Sequence, residues 1–302
     1  MNDNIKYCSA FNFDSSETVA YNNPLFPVYI RHGILSSYPD YSAVSHWHKD
    51  LEFIVIQKGS MTYNVNGTLI HLSEGSGIMV NSRQLHYGFS PEHEECEFIC
   101  VLFSPDLLAG NEWFYHNYVE AVTENPLYPY LYLGGEDWKN SIAEKIDWLY
   151  SDFTAQAEQE LSDFTVFNIF LSIMKTLYEN LDVKTYDTAK ESTELNSLKS
   201  MITYIENHYA ERITLETLAS CGACCKSRCS LLFKKYLRET PMAHLAKLRL
   251  RKSLAALLNS DKSITEIAYE YGFCGASYYC EVFQKYYGIS PLKYRKIQLE
   301  AK

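Results

Sequence analysis

Three histidines and a carboxylate stand close together early in the chain: His46-Trp47-His48, then Glu52, with His86 further on. Imidazole nitrogens and a carboxylate oxygen are ligands for Zn, Fe, Mn or Ni, and four of them leave room for an exogenous ligand. The competing reading is that the four groups hydrogen-bond to one another or to a polar effector. A second concentration is Cys221, Cys224, Cys225 and Cys229. Thiols at a turn and helix start suit redox sensing or zinc, because a helix N-terminus lowers thiol pKa. Against that, Cys229 and Cys224 can pack as small hydrophobes. The chain carries no glycine-rich phosphate loop, nucleophile elbow or zinc-protease helix.

The elements that must position the histidines are short and β-rich. Candidate strands lie over 28–30, 52–57, 61–65, 68–71, 77–80 and 97–103, and Asn66-Gly67 between alternating runs is a hairpin signal. Many short strands at this spacing predict a sandwich or barrel. Residues 1–27 read as irregular, with Pro24 and Pro27 as breakers, and 107–136 as mixed. Residues 137–157 and 161–181 then predict two amphipathic helices. One carries the stripe Ile142, Ile146, Leu149, Phe153; the other carries Phe164, Phe167, Phe170, Leu171, Met174, Leu177. Such a hairpin either covers the β domain or pairs with a second chain. Residues 184–194 are polar and lack a stripe, which marks a linker.

The last third has a different grammar. Ser263 is a candidate N-cap before Ile264, Ile267 and Ala268, Gly272 supplies a turn, and a second helix runs over 277–287 with Tyr279, Val282, Phe283 and Tyr286 inward. Gly288 and Pro291 close it. Two short helices around a glycine turn make a helix-turn-helix. The unit occurs twice: Leu218-Ala219 answers Ile267-Ala268, Phe233 answers Phe283 and Pro241 answers Pro291, at offsets of 49 or 50 residues. Between the units, 241–258 reads as one helix with Leu245, Leu248, Ala255 and Leu258 apolar. At 1.5 Å per residue it is about 27 Å long, a spacer suited to major-groove faces about 34 Å apart.

With Gly272-Phe273, Phe283, Gly288, Ser290-Pro291 and Tyr294-Arg295 in place, the C-terminal residues resemble the AraC-type DNA-binding domain. Upstream, His46, His48, Glu52 and Gly59 resemble the first cupin motif, and Gly75 with His86 the second. Asp40, Asn81 and Arg83 depart from the cupin pattern. The two resemblances agree, since many AraC-type regulators carry such a sensing barrel. They imply a mixed fold: an N-terminal cupin-like β-barrel (double-stranded β-helix) and an all-α C-terminal domain with two helix-turn-helix units. The implied function is a sequence-specific transcription regulator of double-stranded promoter DNA. A small-molecule effector would bind at His46, His48, Glu52 and His86, with a divalent metal there as a possible occupant and no required cofactor. A homodimer through the hairpin and an activator's contact with RNA polymerase are further implications. The alternative is a metal-dependent cupin enzyme fused to a DNA-binding domain.

Recognition helices read bases with their early exposed face. That face is Ser227, Ser230 and Leu231 in the first unit, and Ala276, Ser277, Tyr278 and Glu281 in the second. Leu231 and Glu281 stand where the family often has Arg, so the operator sequence is not implied. Candidate phosphate contacts are Lys226, Lys234, Lys235, Arg249, Lys293, Arg295 and Lys296, with an internal carboxylate as the competing partner for Arg295.

Charge supports this division. The net charge of −10 is made of −18 over residues 1–195 and +8 over 196–302, so basic charge gathers on the helical repeat. The expected organisation is 1–136 sensing domain, 137–182 hairpin, 183–195 linker and 196–302 DNA-binding domain. The polar opening Met1-Asn2-Asp3-Asn4, the odd and clustered nine cysteines, and the lack of any apolar run of membrane-spanning length predict a cytoplasmic protein.

Overall fold

The computed structural model describes residues 19, 21–22, 26–155, 163–183 and 193–300. It divides into two compact units, one running to Glu191 and one over Ser192–Lys302.

The first unit is antiparallel β with a helical cover. Its strands are β1 (Val28–Ile34), β2 (Leu51–Val65), β3 (Thr68–Ser73), β4 (Gly77–Val80), β5 (His86–Phe89), β6 (Cys96–Phe103) and β7 (Tyr130–Leu133). One sheet runs in the order β1-β6-β2-β4-β7, and β3 and β5 pair with the far half of β2. Among the described residues the strand order does not return on itself. The expected barrel is therefore an open cupin-like pair of sheets sharing one long strand.

That strand explains a difference from the sequence reading, which divided it into 52–57 and 61–65. Its pairing with β6 slips between Ile56 and Lys58, and Gly59 follows at φ +77°. The extra residue changes which parity faces inward. Ile54 and Ile56 line the space between the sheets, and after the bulge Met61, Tyr63 and Val65 do so. A Cβ on Gly59 would sit 2.2 Å from the Glu95 carbonyl oxygen, so the bend requires glycine. Strands β5 (His86–Phe89) and β7 (Tyr130–Leu133) were not anticipated.

The outer face of the first sheet, with Phe53, Val55, Val101 and Phe103, is covered by α1 (Asp137–Ala155) and α2 (Asp163–Asn180). Ile142, Ile146, Leu149, Phe170, Met174 and Leu177 are buried against it, and Phe103 stacks on Phe170 at 4.6 Å between ring centroids. Two residues expected on that stripe point elsewhere: Leu171 is exposed and Phe164 is 80% exposed. The Phe153 side chain and residues 156–162 lie outside the described ones, as do residues 1–18 and 184–192.

The second unit is helical. It comprises α3 (Thr193–His208), α4 (Leu215–Cys221), α5 (Lys226–Leu237), α6 (Pro241–Asn259), α7 (Ile264–Glu270), α8 (Ala276–Tyr287) and α9 (Pro291–Glu300). Helix α3 begins at Thr193, so the last residues assigned to the linker are helical. Glu194 binds Lys235 at 2.7 Å and accepts from the Tyr236 hydroxyl at 3.0 Å, and Leu195 is buried. Helix α6 rises about 28 Å over its 19 residues. It buries Leu245, Leu248, Leu250, Leu254 and Leu257, while Ala255, expected inward, is exposed.

Both helix-turn-helix units are present, and the two offsets have a structural cause. Phe273 N donates to Ala268 O as Cys224 N does to Ala219 O, 49 residues earlier. The recognition helices start at Lys226 and Ala276, 50 residues apart. The second turn is therefore one residue longer. The left-handed position is Ala223 (φ +48°) in the first turn and Gly272 (φ +80°) in the second.

Candidate functional site

Two sites emerge, one in each unit. In the first, Glu52 opens β2 on its inward face, His86 opens β5, and His46 and His48 lie on the segment leading to β2. His46 and His86 form a two-bond backbone bridge at 3.1 and 2.9 Å, which holds their ring centroids 4.3 Å apart. His48 comes within 5.0 Å of the His86 ring. Glu52, His48 and His86 are 3%, 4% and 1% exposed. The structure thus gathers all four expected residues, and one ligand atom from each lies within 4.8 Å of the other three.

Each imidazole is oriented by the backbone. His46 Nδ1 lies 2.7 Å from Val44 O, His48 Nδ1 3.1 Å from Asp50 O, and His86 Nδ1 2.8 Å from Gln84 O. A carbonyl only accepts, so each Nδ1 carries a proton and each ring turns its Nε2 toward the other members of the set. His48 Nε2 and His86 Nε2 face Glu52 Oε2 at 3.6 and 3.4 Å. The other carboxylate oxygen, Oε1, accepts from the Tyr63 hydroxyl. Enclosure of the His46 ring, with the neighbouring His86, pushes its pKa down to about 3. Burial alone would raise the Glu52 carboxyl, but His86 and His48 hold it well below the usual range. Burial and the Glu52 charge raise the Tyr63 phenol, which stays a donor. The set suits a divalent transition ion in ligand type and in reach: N and O atoms, one from each residue, all within 4.8 Å of one another, with the rings oriented by main-chain carbonyls.

Tyr63 was missed from sequence, because only the bulge brings it to the face of Glu52. Tyr38 and Cys100 also pack against this interior.

In the second unit the expected base-reading side chains are on the early turns of α5 and α8. Ser227, Leu231, Ser277, Tyr278 and Glu281 are exposed; Ser230 and Ala276 are half-buried. The Tyr278 ring leans on Phe273 at 5.9 Å. The supporting helices are capped: Thr214 Oγ1 accepts the Thr217 amide before α4, Thr240 Oγ1 accepts the Ala243 amide before α6, and Ser263 with Glu266 forms a capping box before α7. Neither recognition helix has a side-chain cap; Cys225 and Gly275 occupy those positions.

The expected phosphate contacts divide. Lys234, Lys293 and Lys296 are exposed; Lys226 is paired with Glu216 and Lys235 with Glu194 at the surface. Two arginines are corrected. Arg249, 8% exposed, donates to Tyr209 O and Glu211 O at 2.7 Å each. Arg295 donates to Leu257 O and Lys262 O at 2.7 and 2.8 Å, and so takes carbonyls rather than an internal carboxylate. Each clamps the end of one helix to the segment that starts a helix-turn-helix. Arg228 was missed; it is exposed on α5 and pairs with Glu194.

The cysteines offer little chemistry. Cys229 is fully buried and burial pushes its thiol up to about 11; burial also raises Cys224. Cys225 is exposed and Cys221 half-buried. Among the described residues the cysteines form no three-ligand cluster.

Residues 218–297 match a helix-turn-helix domain model and residues 31–131 match the AraC-like ligand binding domain. The HTH-type transcriptional regulator YdeC of Bacillus subtilis is 31% identical over 83% of this chain and 86% of its own length. The chain belongs to the AraC-type transcriptional regulators. A similar relative is the HTH-type transcriptional activator RhaS of Mannheimia succiniciproducens, 24% identical over 83% of this chain and 88% of that one. Among solved structures, ToxT of Vibrio cholerae matches with a TM-score of 0.44 and 12% identity, covering 89% of this chain and 98% of that one. The regulator is thus a DNA-binding protein with an N-terminal ligand-binding domain, and the alternative of a cupin enzyme falls. Among the described residues no helix is long and apolar enough to cross a membrane.

Proposed function

We propose that the regulator binds double-stranded promoter DNA with α5 and α8 in successive major grooves, and that a small molecule in the open cupin-like domain controls their presentation. The observation that carries this reading is the pair of recognition helices. Both expose their first turns and leave their N-termini without side-chain caps, while the helices that support them are capped. Open helix N-termini accept phosphate. Ser227, Ser230, Leu231, Ala276, Ser277, Tyr278 and Glu281 read base edges; Lys226, Arg228, Lys234, Lys235, Lys293 and Lys296 hold phosphates. Binding of the effector works through its differential affinity for two arrangements of the protein.

The working form is a cytoplasmic homodimer paired through α1 and α2, because their outward side exposes Trp148 and Phe164 together with Leu171. RhaS is named an activator, and activation through RNA polymerase is the output we assign by that likeness.

Fluorescence anisotropy of the full chain on fragments of its own upstream region tests the DNA reading. Affinity should fall with salt, at a slope of about −0.9 in log–log terms for each phosphate neutralised. Binding that ignores salt, or none to any fragment, refutes it. Thermal-shift screening across metabolites tests the sensing half.

A further inference from the structure

The two recognition helices present their outer faces in the same frame. Helix α8 buries Tyr279 and Phe283, and α5 buries Cys229 and Phe233 at the corresponding places. At about 100° per residue, Glu281 stands about 200° round from Tyr279 and about 160° from Phe283. It is therefore the crest of α8, directly opposite the buried side. Leu231 holds the same crest on α5 and is 51% exposed.

Neither crest residue suits phosphate: leucine has no donor, and a carboxylate is repelled. The other glutamates of the two helix-turn-helix units are all engaged. Glu216 pairs with Lys226, Glu266 closes the capping box of α7, and Glu270 pairs with Lys262. Glu281 is exposed and, among the described residues, makes no hydrogen bond or ion pair, not even with Lys285 one turn on. An ionised carboxylate only accepts. In the major groove guanine shows two acceptors, and thymine one acceptor beside its methyl; only cytosine N4 and adenine N6 donate. Adenine sets the N7 lone pair next to its amino group, where it repels the second carboxylate oxygen. Cytosine sets only C5–H there.

We propose that Glu281 selects a cytosine in the groove entered by α8, by accepting from its N4 amino group, while Leu231 packs on a thymine methyl in the groove entered by α5. This rests on the DNA-binding reading and adds the base preference to it. The target is then not one half-site repeated. It carries a G·C pair under α8 and an A·T pair under α5, about 10 base pairs apart. The charge also excludes: over guanine or thymine Glu281 meets an acceptor with no proton between them, so the wrong base is rejected as well as the right one held.

The test is selection by the full chain from a random duplex library, then anisotropy on the enriched duplex. Wild type should enrich a G·C pair at one position. Exchanging it for A·T, or removing the amino group by placing 2-pyrimidinone opposite the guanine, should weaken wild-type binding by about 5- to 150-fold. Inosine opposite the same cytosine weakens the pair but keeps its major-groove edge, and should leave affinity unchanged. Glu281→Ala should accept all bases there alike and bind unselected DNA more tightly than wild type. Glu281→Gln should turn the preference to A·T, since an amide pairs with adenine N6 and N7. Leu231→Ala should flatten the A·T preference one turn away and keep the G·C preference. Matching circular-dichroism melts show that these variants are folded. A Glu281→Ala profile equal to wild type at every position overturns the proposal. So does a Leu231→Ala profile equal to wild type, or an amino-group deletion that costs wild type nothing. Enrichment that ignores both residues sinks this inference alone; no enrichment and no salt-sensitive binding sinks the DNA reading itself.

Discussion

Replacing Gly272 by alanine should destabilise the helical unit and leave the β unit untouched. Gly272 turns the chain between α7 and α8 at φ +80°. A Cβ there would lie 2.8 Å from both Tyr209 O and Ala210 O. The left-handed backbone costs an L-residue about 1–2 kcal/mol. The narrower unfolded ensemble of alanine offsets about 0.4–1 kcal/mol of that. Moving two backbone oxygens out of contact adds about 1–3 kcal/mol, in the range of other overpacked sites. The net loss is about 2–3 kcal/mol. All four tryptophans, Trp47, Trp113, Trp138 and Trp148, belong to the first unit. In urea, tryptophan emission therefore follows that unit, and far-ultraviolet circular dichroism is weighted to the helices of the second. With a slope of about 2 kcal/mol per molar, the dichroism midpoint should fall by about 1–1.5 M and the emission midpoint should stay. The matched control is Ala223→Gly, at the exposed left-handed position of the first turn, which should stay within about 1 kcal/mol of the parent. A Gly272→Ala midpoint equal to the parent's, or a larger loss in Ala223→Gly, would refute the reasoning.

Gly59→Ala should unfold the first unit more easily, by at least about 2 kcal/mol on the tryptophan signal, because its Cβ meets the Glu95 carbonyl at a left-handed position. Arg249→Ala should lower helical stability by about 2–4 kcal/mol by stripping two carbonyls of their donor. Lys234→Ala should leave stability unchanged and reduce the salt slope of DNA binding by about 0.9. Glu239 supplies a pH test. Burial opposes its charge, but the His244 hydrogen bond and the Lys247 ammonium hold its pKa down to about 2. A depressed carboxylate adds stability above its ordinary value near 4.5, and that stability is lost as pH falls toward 2. The dichroism midpoint of the parent should drop over that window, and that of Glu239→Gln should drop less.

The repeat was legible because both units reuse the same apolar positions, and the offset change from 49 to 50 is a one-residue insertion that leaves the pattern on either side intact. The four ligand-type residues were legible because His46, His48 and Glu52 are close in sequence. Tyr63 was not, since its facing depends on an irregularity that strand alternation does not encode. Arg249 and Arg295 read as surface cations because their type suits phosphate. Their real partners are main-chain carbonyls about forty residues away, and they stand eight and four residues after Pro241 and Pro291, so no shared spacing flags them. Phe164 and Leu171 fell on the predicted stripe only because apolarity was read without knowing how wide a face the sheet would cover.

The slipped pairing in β2 behaves like a reading frame. One half of the strand fills the domain in one phase and the other half in the opposite phase, and the phase changes at Gln57, just before the Gly59 bend. A deletion or insertion between Ile56 and Met61 would be out of frame: Met61, Tyr63 and Val65 would leave the space between the sheets, and polar Thr62 and Asn64 would take their places. Substitutions along this strand can be absorbed one at a time, but a change of length there cannot.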